Sequence, residues 1–410
     1  MDSTKQHWKR NVALFLTSQT VSLFGSSLVQ YAIMWYIVLQ TQSGIMMTIY
    51  ILCGFLPTFL LSPFAGVWAD RYNRKRLIAL SDSAIALSTL ILAILFLAGY
   101  DSIWMLITVS AIRALGTGIQ TPTVGAFIPQ LTPEDKLTKV NSIHSSIQSA
   151  VTLLSPMVSG ALMSVASIES IFFIDVITAA VGVSILLLFL RTPAHDKASQ
   201  PQAISYFDDM RAGFAYIREH SYVKTFFMFT ALFMIFAAPV AFLTPLQVAR
   251  SFGDEYWRLT AIEMTFSVGM MAGGILMALW GGFKNKIHTM VLSNLTIGIC
   301  TFALGVIPVF WLYLIVMGMI GIAMPVFHTP SNVLLQQKVD GNYIGRVYGV
   351  YGMLASSMMP LGMLVFGPIA DIVPIEWLLL GTGALLFVQG FAMLGSRVLI
   401  EAGSPAAAAE

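Results

Sequence analysis

The chain contains twelve long apolar runs, and these runs limit its fold more than any other feature. They lie near residues 12–39, 45–69, 77–99, 103–129, 139–166, 169–191, 222–249, 258–281, 287–308, 311–336, 344–370 and 376–397. Each is long enough, at 1.5 Å per helical residue, to cross ~30 Å of hydrocarbon. The chain is 57% hydrophobic and only 10% charged, whereas a soluble domain carries about 25% charged residues. The sequence therefore predicts an all-α membrane protein with twelve transmembrane helices.

The distribution of positive charge predicts the orientation of these spans. With a cytoplasmic N-terminus, only Arg250 and Arg258 among the 22 lysines and arginines fall on the outer side, and Arg113 lies within a span. Lysine and arginine concentrate in the short cytoplasmic loops of membrane proteins. We therefore predict that both termini are cytoplasmic. Because the cations are spread over short loops, they indicate no nucleic-acid partner.

The longest polar stretch between spans divides the chain in two. It runs from Thr192 to about Ser221 and leaves six spans on each side. Thr121-Pro122 and Thr329-Pro330 occupy corresponding positions in the fourth span of each half. We predict a six-helix half at residues 1–191, a cytoplasmic linker at 192–221, a second six-helix half at 222–398 and a tail at 399–410.

Residues 66–76, GVWADRYNRKR, form a cationic turn between the second and third spans. The turn resembles the loop between helices 2 and 3 of the major facilitator superfamily, although Asn73 stands where that family usually has glycine. The resemblance implies two parallel six-helix halves with substrate bound between them near the midplane. It also implies a conformational gate, in which Asp70 meets the N-terminal end of the eleventh span, while the same charges enforce topology. The gate residues implied in this way are Gly66, Asp70, Arg71, Arg74, Arg76 and Arg346.

Four ionisable side chains stand out inside the predicted spans, namely Asp82, Arg113, Asp175 and Glu263. Each costs ~2.5–3.5 kcal/mol at a helix centre on insertion scales, so each requires a reason. Arg113 lies near the midplane of the fourth span. The sequence from Arg113 to Gly118, RALGTG, resembles the motif of facilitator antiporters in which the arginine is linked to proton movement. The alternative is a structural cation paired with a neighbouring carboxylate.

Glu263 is the carboxylate of the eighth span and a candidate for proton coupling. A carboxylate shielded from bulk water could exchange a proton near neutral pH. Gly269 and Gly273 follow it as a small-xxx-small pair, which allows another helix to approach closely. The alternative is that Glu263 extends toward the outer interface beside Arg258.

Asp175 and Asp82 are interpreted differently from Glu263. Asp175 lies in the outer third of the sixth span, and the facilitator resemblance makes that helix peripheral. We therefore favour a helix-packing hydrogen bond for Asp175 and keep proton coupling as its second role. Asp82 lies six residues beyond Arg76. A short reach back to the cationic turn is its simplest interpretation.

Two spans carry helix-breaking and small residues. Proline removes a backbone donor, and small side chains let a partner helix approach. The fifth span has Pro156 and Gly160, and the eleventh has Pro360 and Gly362. The fifth resembles the Gly-Pro-x-x-x-Gly motif of facilitator antiporters, with Ser155 in place of the first glycine.

Polar and aromatic side chains within spans are candidates for a substrate cavity, although such residues are also ordinary in membrane cores. The predicted cavity residues are Gln30, Tyr31, Trp35, Gln120, Gln148 and His328. The histidines show no ligand spacing, so we predict no metal and no bound cofactor other than the proton gradient.

Taken together, the cationic turn, RALGTGIQTP in the fourth span and YIGRVYG entering the eleventh resemble the macrolide-efflux branch of facilitator drug exporters. The resemblance implies proton-coupled export of a bulky amphiphilic compound across a bacterial plasma membrane by a protein we expect to be monomeric. Export of a native metabolite such as a siderophore, or symport, is the alternative. No HExxH, GxSxG or nucleotide-binding motif is present, which disfavours an enzyme.

Overall fold

The computed structural model of the protein describes residues 8–190, 206–341 and 343–404, without the side chains of Pro63, Asp70 and 206–210. Most of the predicted linker and part of the predicted tail therefore lie outside the described residues. Every regular element within the described residues is helical.

The first six long helices cover the N-terminal part of the chain. Their bounds are α1 Trp8–Thr41, α2 Gly44–Arg71, α3 Arg74–Leu97, α4 Ile103–Leu131, α5 Leu137–Val165 and α6 Ile168–Ser184. A short 3-10 turn, Glu134–Lys136, precedes α5, and a π-helical turn, Ile185–Phe189, extends α6.

Nine helices follow in the C-terminal part. Their bounds are α7 Tyr206–Glu219, α8 Ser221–Phe242, α9 Thr244–Ser251, α10 Tyr256–Trp280, α11 Lys286–Leu304, α12 Phe310–Lys338, α13 Ile344–Ile369, α14 Ile375–Gly395 and α15 Arg397–Gly403. The short helices α7 and α15 flank the long apolar ones.

The described helices include 12 stretches that are long and apolar enough to cross a membrane. This count confirms the twelve spans predicted from the sequence. The seventh span differs in detail, because the predicted run 222–249 breaks at Leu243 into α8 and α9. Pro239 near the end of α8 and Pro245 at the start of α9 explain the break, since proline lacks a backbone donor and favours a first helical turn.

The chain forms two compact units, whose boundary differs in one segment from the predicted division. Among the described residues, 8–40 and 49–190 form the first unit, and 41–48 with 206–404 form the second. The segment 41–48 contains the first turn of α2, so this helix begins in one unit and continues in the other. The composition of the sequence does not indicate that residues 41–48 belong to the second unit.

In the first unit, α3 packs against both α4 and α6. One end of this unit has an apolar core in which Phe15 of α1 meets Phe127 of α4 edge to face, with ring centroids 5.1 Å apart. Leu186 of the π-helical turn joins the same cluster. These contacts fix α1, α3 and α4 beside one another and so position the polar side chains farther along the same helices.

In the second unit, α10 packs closely on α12 through glycines. A Cβ atom at Gly273 would lie 2.9 Å from Cα of Ile322, and one at Gly321 would lie 3.0 Å from Cα of Gly269. Such distances exclude a side chain, so the two backbones are in direct contact. The predicted close approach at Gly269 and Gly273 is therefore present in the structure.

We expect Gly273→Ala to lower the melting temperature of the purified protein, because the new methyl group meets backbone atoms of α12. Overpacking of this kind costs about 1–3 kcal/mol. The matched control is Gly274→Ala on the same helix, where nothing lies within 4 Å of the new Cβ. The control should be neutral or stabilising by up to about 1 kcal/mol, because alanine favours a helix. Equal melting temperatures for the two variants would contradict the packing argument.

Candidate functional site

A buried ion pair lies at the centre of the first unit. Nη1 of Arg113 in α4 donates to Oδ2 of Asp175 in α6 at 2.6 Å, and it also donates to the hydroxyl of Thr89 in α3. Nη2 of Arg113 donates to the carbonyl of Ser26 in α1 at 3.1 Å, while Oγ of Ser26 donates to Oδ1 of Asp175 at 3.1 Å. Four helices therefore meet in one network, which we call the Arg113 layer.

The Arg113 layer is closed off from its surroundings. Asp175 is 0% exposed and Arg113 is 8% exposed. Removal of one member of a buried pair leaves an uncompensated charge and costs about 3–5 kcal/mol. Gly25 of α1 lies directly against this layer, since a Cβ there would lie 3.1 Å from Cα of Asp175. Asp175 is therefore the neighbouring carboxylate that was expected if Arg113 is a structural cation.

A second polar layer lies on the same helices and contains Asp82 of α3. Nε2 of Gln120 in α4 donates to Oδ1 of Asp82, and the same nitrogen lies 3.5 Å from Oε1 of Gln19 in α1. Asp82 is 2% exposed. The interpretation that Asp82 reaches back to the cationic turn is wrong, because its carboxylate bonds across to α4 instead. We call this group the Asp82 layer.

The two layers repeat with the same spacing on three helices. Gln19 and Ser26 on α1, Asp82 and Thr89 on α3, and Gln120 and Arg113 on α4 are each seven residues apart. Seven residues are about two helical turns, or about 10 Å along the axis. Because α3 and α4 run in opposite directions, the order reverses on α4 and the partners stay level.

Glu263 of α10 is half-buried and makes no hydrogen bond or ion pair with any described residue. The alternative that paired it with Arg258 is not observed, because Arg258 binds Glu255 at 2.7 Å. The Arg258 guanidinium also lies over the rings of Trp257 and Phe310, at 5.3 and 5.6 Å. The structure thus leaves the Glu263 carboxylate without a counter-charge among the described residues.

The helix-breaking residues are all buried. Pro156 and Gly160 lie within α5, where Ser159 donates to the carbonyl of Leu28 in α1 at 3.0 Å. Pro360 and Gly362 lie within α13. A Cβ at Gly362 would lie 2.8 Å from Cβ of Ala238 in α8. Close helix approach therefore occurs beside both prolines.

The predicted cavity residues differ widely in exposure. Gln30 and Gln148 are exposed, Tyr31, Gln120 and His328 are half-buried, and Trp35 is fully buried. The Tyr31 and Trp35 rings lie 5.6 Å apart. Only Gln120 belongs to one of the polar layers. A role in substrate contact stays a prediction for all six.

The cationic turn is held by contacts within its own unit. Oδ1 of Asn73 accepts from the N–H of Arg76 at 3.1 Å and caps α3. The φ of Asn73 is −66°, so this position does not require glycine. The Arg74 side chain donates to the carbonyls of Ala69 and Ala126 at 2.9 and 3.0 Å.

The other gate residues have varied surroundings. Gly66 has open space where a Cβ would stand, and Arg71 and Arg76 are exposed. Arg346 lies over the Tyr343 ring at 5.4 Å. The Asp70 side chain lies outside the described residues, so its contact with the eleventh span stays a prediction.

The sequence analysis missed a cluster around Asp371, in the loop between α13 and α14. Its carboxylate accepts from the N–H groups of Gly44 and Ile45 at 2.7 and 2.9 Å, from Oγ of Ser43 at 2.7 Å, and from Arg250 at 2.9 Å. All these residues belong to the second unit. One sequence feature could have pointed to this cluster, because Arg250 is one of only two cations predicted on the outer side of the membrane.

The Asp371 cluster anchors the first turn of α2. Burial by itself raises the pKa of the Asp371 carboxyl, but the N–H groups of Ile45 and Gly44, the Ser43 hydroxyl and Arg250 outweigh it. They hold the pKa below its ordinary value of 3.8. A carboxylate at a helix N-terminus is further favoured by the helix dipole.

Comparison with known proteins places this arrangement in a family. The family described as Major Facilitator Superfamily matches residues 14–363. The chain belongs to the major facilitator superfamily. It is 29% identical over 382 residues to Macrolide efflux protein A of Streptococcus pyogenes, covering 93% of this chain and 94% of the relative. It is 30% identical over 314 residues to Macrolide efflux protein A of Enterococcus faecalis, covering 76% of this chain and 97% of the relative.

A more distant facilitator relative is the Staphyloferrin A transporter of Staphylococcus aureus, 24% identical over 362 residues, covering 87% of this chain and 89% of the relative. Among solved structures, a nucleoside transporter, NupG, matches with a TM-score of 0.65 at 14% identity, covering 92% of this chain and 98% of that one. A peptide transporter, POT, in complex with sulfate matches with a TM-score of 0.70 at 12% identity, covering 99% and 100%.

These findings confirm the facilitator fold and the resemblance to macrolide-efflux facilitators predicted from the sequence. This facilitator is a multi-pass membrane transporter and not an enzyme. The solved structures support the fold alone, because their sequence identity to this chain is low.

We expect Asp371→Asn to lower the melting temperature at neutral pH, corresponding to about 1–3 kcal/mol for lost hydrogen bonds to a charged group. The pKa of this carboxyl group is lower in the folded than in the unfolded protein. The group therefore stabilises the fold at pH values above its unfolded pKa, and this contribution is lost as the pH falls through its folded pKa. The gap between wild type and Asp371→Asn should therefore be constant near neutral pH and shrink below pH about 4. Thermal unfolding across this pH range measures it.

The matched control is Asp254→Asn, which removes an exposed carboxylate from the loop before α10. It should change the melting temperature little at any pH. A gap for Asp371→Asn that is absent at neutral pH, or that grows in acid, would contradict the anchoring role.

Proposed function

We propose that this facilitator exports bulky, amphiphilic, macrolide-like compounds in exchange for protons, by alternating access. The similarity to macrolide efflux protein A over nearly the whole length of both chains carries the substrate class. The ionisable groups inside the spans support the coupling, because charged side chains in membrane helices are retained mainly where they act on ions or protons.

The Arg113 layer is the proposed coupling centre of the first unit. In the proposed cycle, the Asp175 carboxylate, and not the Arg113 guanidinium, would accept the transported proton. A proton on Asp175 removes the charge that holds the Arg113 guanidinium at 2.6 Å. Among the described residues, Thr89 and the Ser26 carbonyl then remain as its partners. Protonation would thus loosen a contact that joins α1, α3, α4 and α6.

Glu263 is the proposed proton carrier of the second unit. It has no counter-charge among the described residues, and it lies on the helix that packs on α12 through Gly269 and Gly273. An ionised carboxylate without a partner is costly away from water, so it gains by taking up a proton. A rigid glycine contact beside it would transmit a change in its charge to α12.

Export of a native metabolite is the second candidate. The similarity to the Staphyloferrin A transporter favours a siderophore-like compound in this role. The identity is lower than to the macrolide relatives, so we rank this substrate class second. We propose the same membrane and orientation for both, a bacterial plasma membrane with both termini in the cytoplasm. The gate formed by Asp70 and the start of the eleventh span, and the monomeric state, belong to the same proposal.

Uptake into reconstituted vesicles tests the function directly. With an acidic vesicle interior, proton efflux should drive accumulation of a radiolabelled macrolide, and collapse of the gradient with a protonophore should stop it. Protein-free vesicles measure passive trapping of a basic drug. The matched variant is Arg113→Gln combined with Asp175→Asn, because it removes both charges and avoids the about 3–5 kcal/mol cost of leaving one unpaired.

We expect the double variant to insert and melt close to wild type but to lose gradient-driven uptake. Wild-type accumulation that ignores the gradient would exclude proton antiport. Accumulation of a labelled siderophore in place of the macrolide would favour the second candidate. Full uptake by the double variant would remove the Arg113 layer from coupling.

We further expect Glu263→Gln to abolish gradient-driven macrolide uptake while macrolide counterflow persists. Glutamine resembles the protonated side chain in size, and exchange of substrate for substrate needs no proton cycle. Comparison of the two transport modes in the same vesicles measures the effect. The control is Glu255→Gln at the N-cap of the same helix, where the Glu255 side chain is 53% exposed and already paired with Arg258.

The control should keep both transport modes. Gradient-driven uptake at the wild-type level by Glu263→Gln would exclude Glu263 as the proton carrier. Loss of counterflow together with uptake would indicate a structural or substrate-binding role instead.

A further inference from the structure

The Asp82 layer contains a buried carboxyl group that the coupling scheme above does not use. Oδ1 of Asp82 accepts a hydrogen bond from Gln120, and the side chains of Gln19 and Ser22 in α1 also interact with this carboxyl group. Among the described residues, neither Oδ2 of Asp82 nor Nε2 of Gln19 has a partner within normal hydrogen-bond geometry. Unsatisfied buried polar atoms are rare in native proteins, and each requires an explanation.

No cation among the described residues balances this carboxyl group. The salt bridges among the described residues of the first unit join Arg113 to Asp175 and Lys136 to Asp135, and neither includes Asp82. The charged group that acts on Asp82 through space is Asp175 of α6, which is itself negative. Burial of an ionised carboxylate without a counter-charge is unfavourable, and a group in this position commonly takes up a proton instead. A protonated Oδ2 can donate a hydrogen bond, whereas an ionised carboxylate can only accept one.

The Gln120 side chain connects the Asp82 carboxyl group to the half-buried side of α4. Gln120 bonds to Asp82 and is itself only half-buried. Pro122 follows two residues later and lacks the N–H that would bond to the carbonyl of Gly118. The backbone hydrogen-bond ladder of α4 is therefore interrupted at the turn that carries Gln120. The Gln120 side chain covers the carboxyl group from the side of α4.

We propose that Asp82, bridged by Gln120, is a second proton-binding site of the first unit. This inference rests on the proposed proton coupling only for its role in transport, since the proton on Asp82 is measurable by itself. One O–H bond forms or breaks at the Asp82 carboxyl group, and the proton comes from or goes to water. Because two carboxylates repel each other, the charge on Asp82 would act electrostatically on the Arg113 layer about 10 Å along the helices.

Infrared difference spectroscopy on the purified protein in lipid nanodiscs tests the site. A protonated carboxyl group has a carbonyl band that disappears on ionisation. We expect this band in wild type at neutral pH, its loss in strong alkali, and the loss of one component in Asp82→Asn at neutral pH. The control, Asp135→Asn, removes an exposed carboxylate bound to Lys136 at 2.9 Å and should leave the band unchanged.

Gln120→Leu provides a second test that does not depend on the folding of Asp82→Asn. It keeps the carboxyl group but removes its hydrogen bond, so the same component should remain and move to higher frequency. A neutral-pH band identical in wild type, Asp82→Asn and Gln120→Leu would overturn the proposal.

Proton release on macrolide addition separates the site from the transport mechanism. A pH-indicator dye in weakly buffered solution counts the protons released per bound macrolide. We expect Asp82→Asn to release fewer protons than wild type, and an equal number would overturn its role in coupling. If wild type releases none, proton antiport fails, and the infrared band alone decides whether Asp82 binds a proton.

Discussion

The ion pair between Arg113 and Asp175 is the contact on which the first unit depends. Neither charge could remain inside an apolar bundle without the other, because the desolvation of each ion costs several kcal/mol. The pair also takes its remaining hydrogen bonds from Thr89 and Ser26, so that α1, α3, α4 and α6 all contribute. One carboxyl group, that of Asp175, thereby belongs to a network that joins all four helices.

The Asp82 layer differs from the Arg113 layer in one physical respect. Both are buried, and both are built from α1, α3 and α4 at the same two-turn spacing. The Arg113 layer is neutral because opposite charges cancel, whereas the Asp82 layer has an amide, Gln120, in the corresponding place on α4. An amide donates a hydrogen bond but supplies no charge. A negative charge on Asp175 therefore has a counter-charge within its own layer, whereas a negative charge on Asp82 would have none among the described residues.

The sequence predicts those features that depend on composition or on local spacing. Twelve spans follow from apolar runs, because hydrocarbon thickness sets their length. The contact of α10 with α12 follows from Gly269 and Gly273, because glycines four residues apart clear one face of a helix. The facilitator family follows from the cationic turn and the fourth-span motif, because their spacing is specific.

Contacts between distant residues could not be predicted in this way. Asp82 is nearest in sequence to the cationic turn, yet it bonds to Gln120, because helix rotation and not distance along the chain decides which side chains meet. Asp371 and Arg250 lie in separate loops, and the segment 41–48 joins them in the second unit. Nothing local to any of the three segments specifies that assembly.

The two units thus handle charge in different ways, and this difference bears on how a proton could act. In the first unit, the carboxyl groups are buried among polar side chains of neighbouring helices, so a proton there changes contacts between helices directly. In the second, Glu263 has no such partner among the described residues, whereas Asp371, in the loop between α13 and α14, is bound by Arg250 and by the start of α2. A proton on Glu263 breaks no bond among the described residues. Protonation of Glu263 would instead change the free energy of exposing α10 to water or substrate. Such a change shifts the populations of conformations and does not break a specific contact.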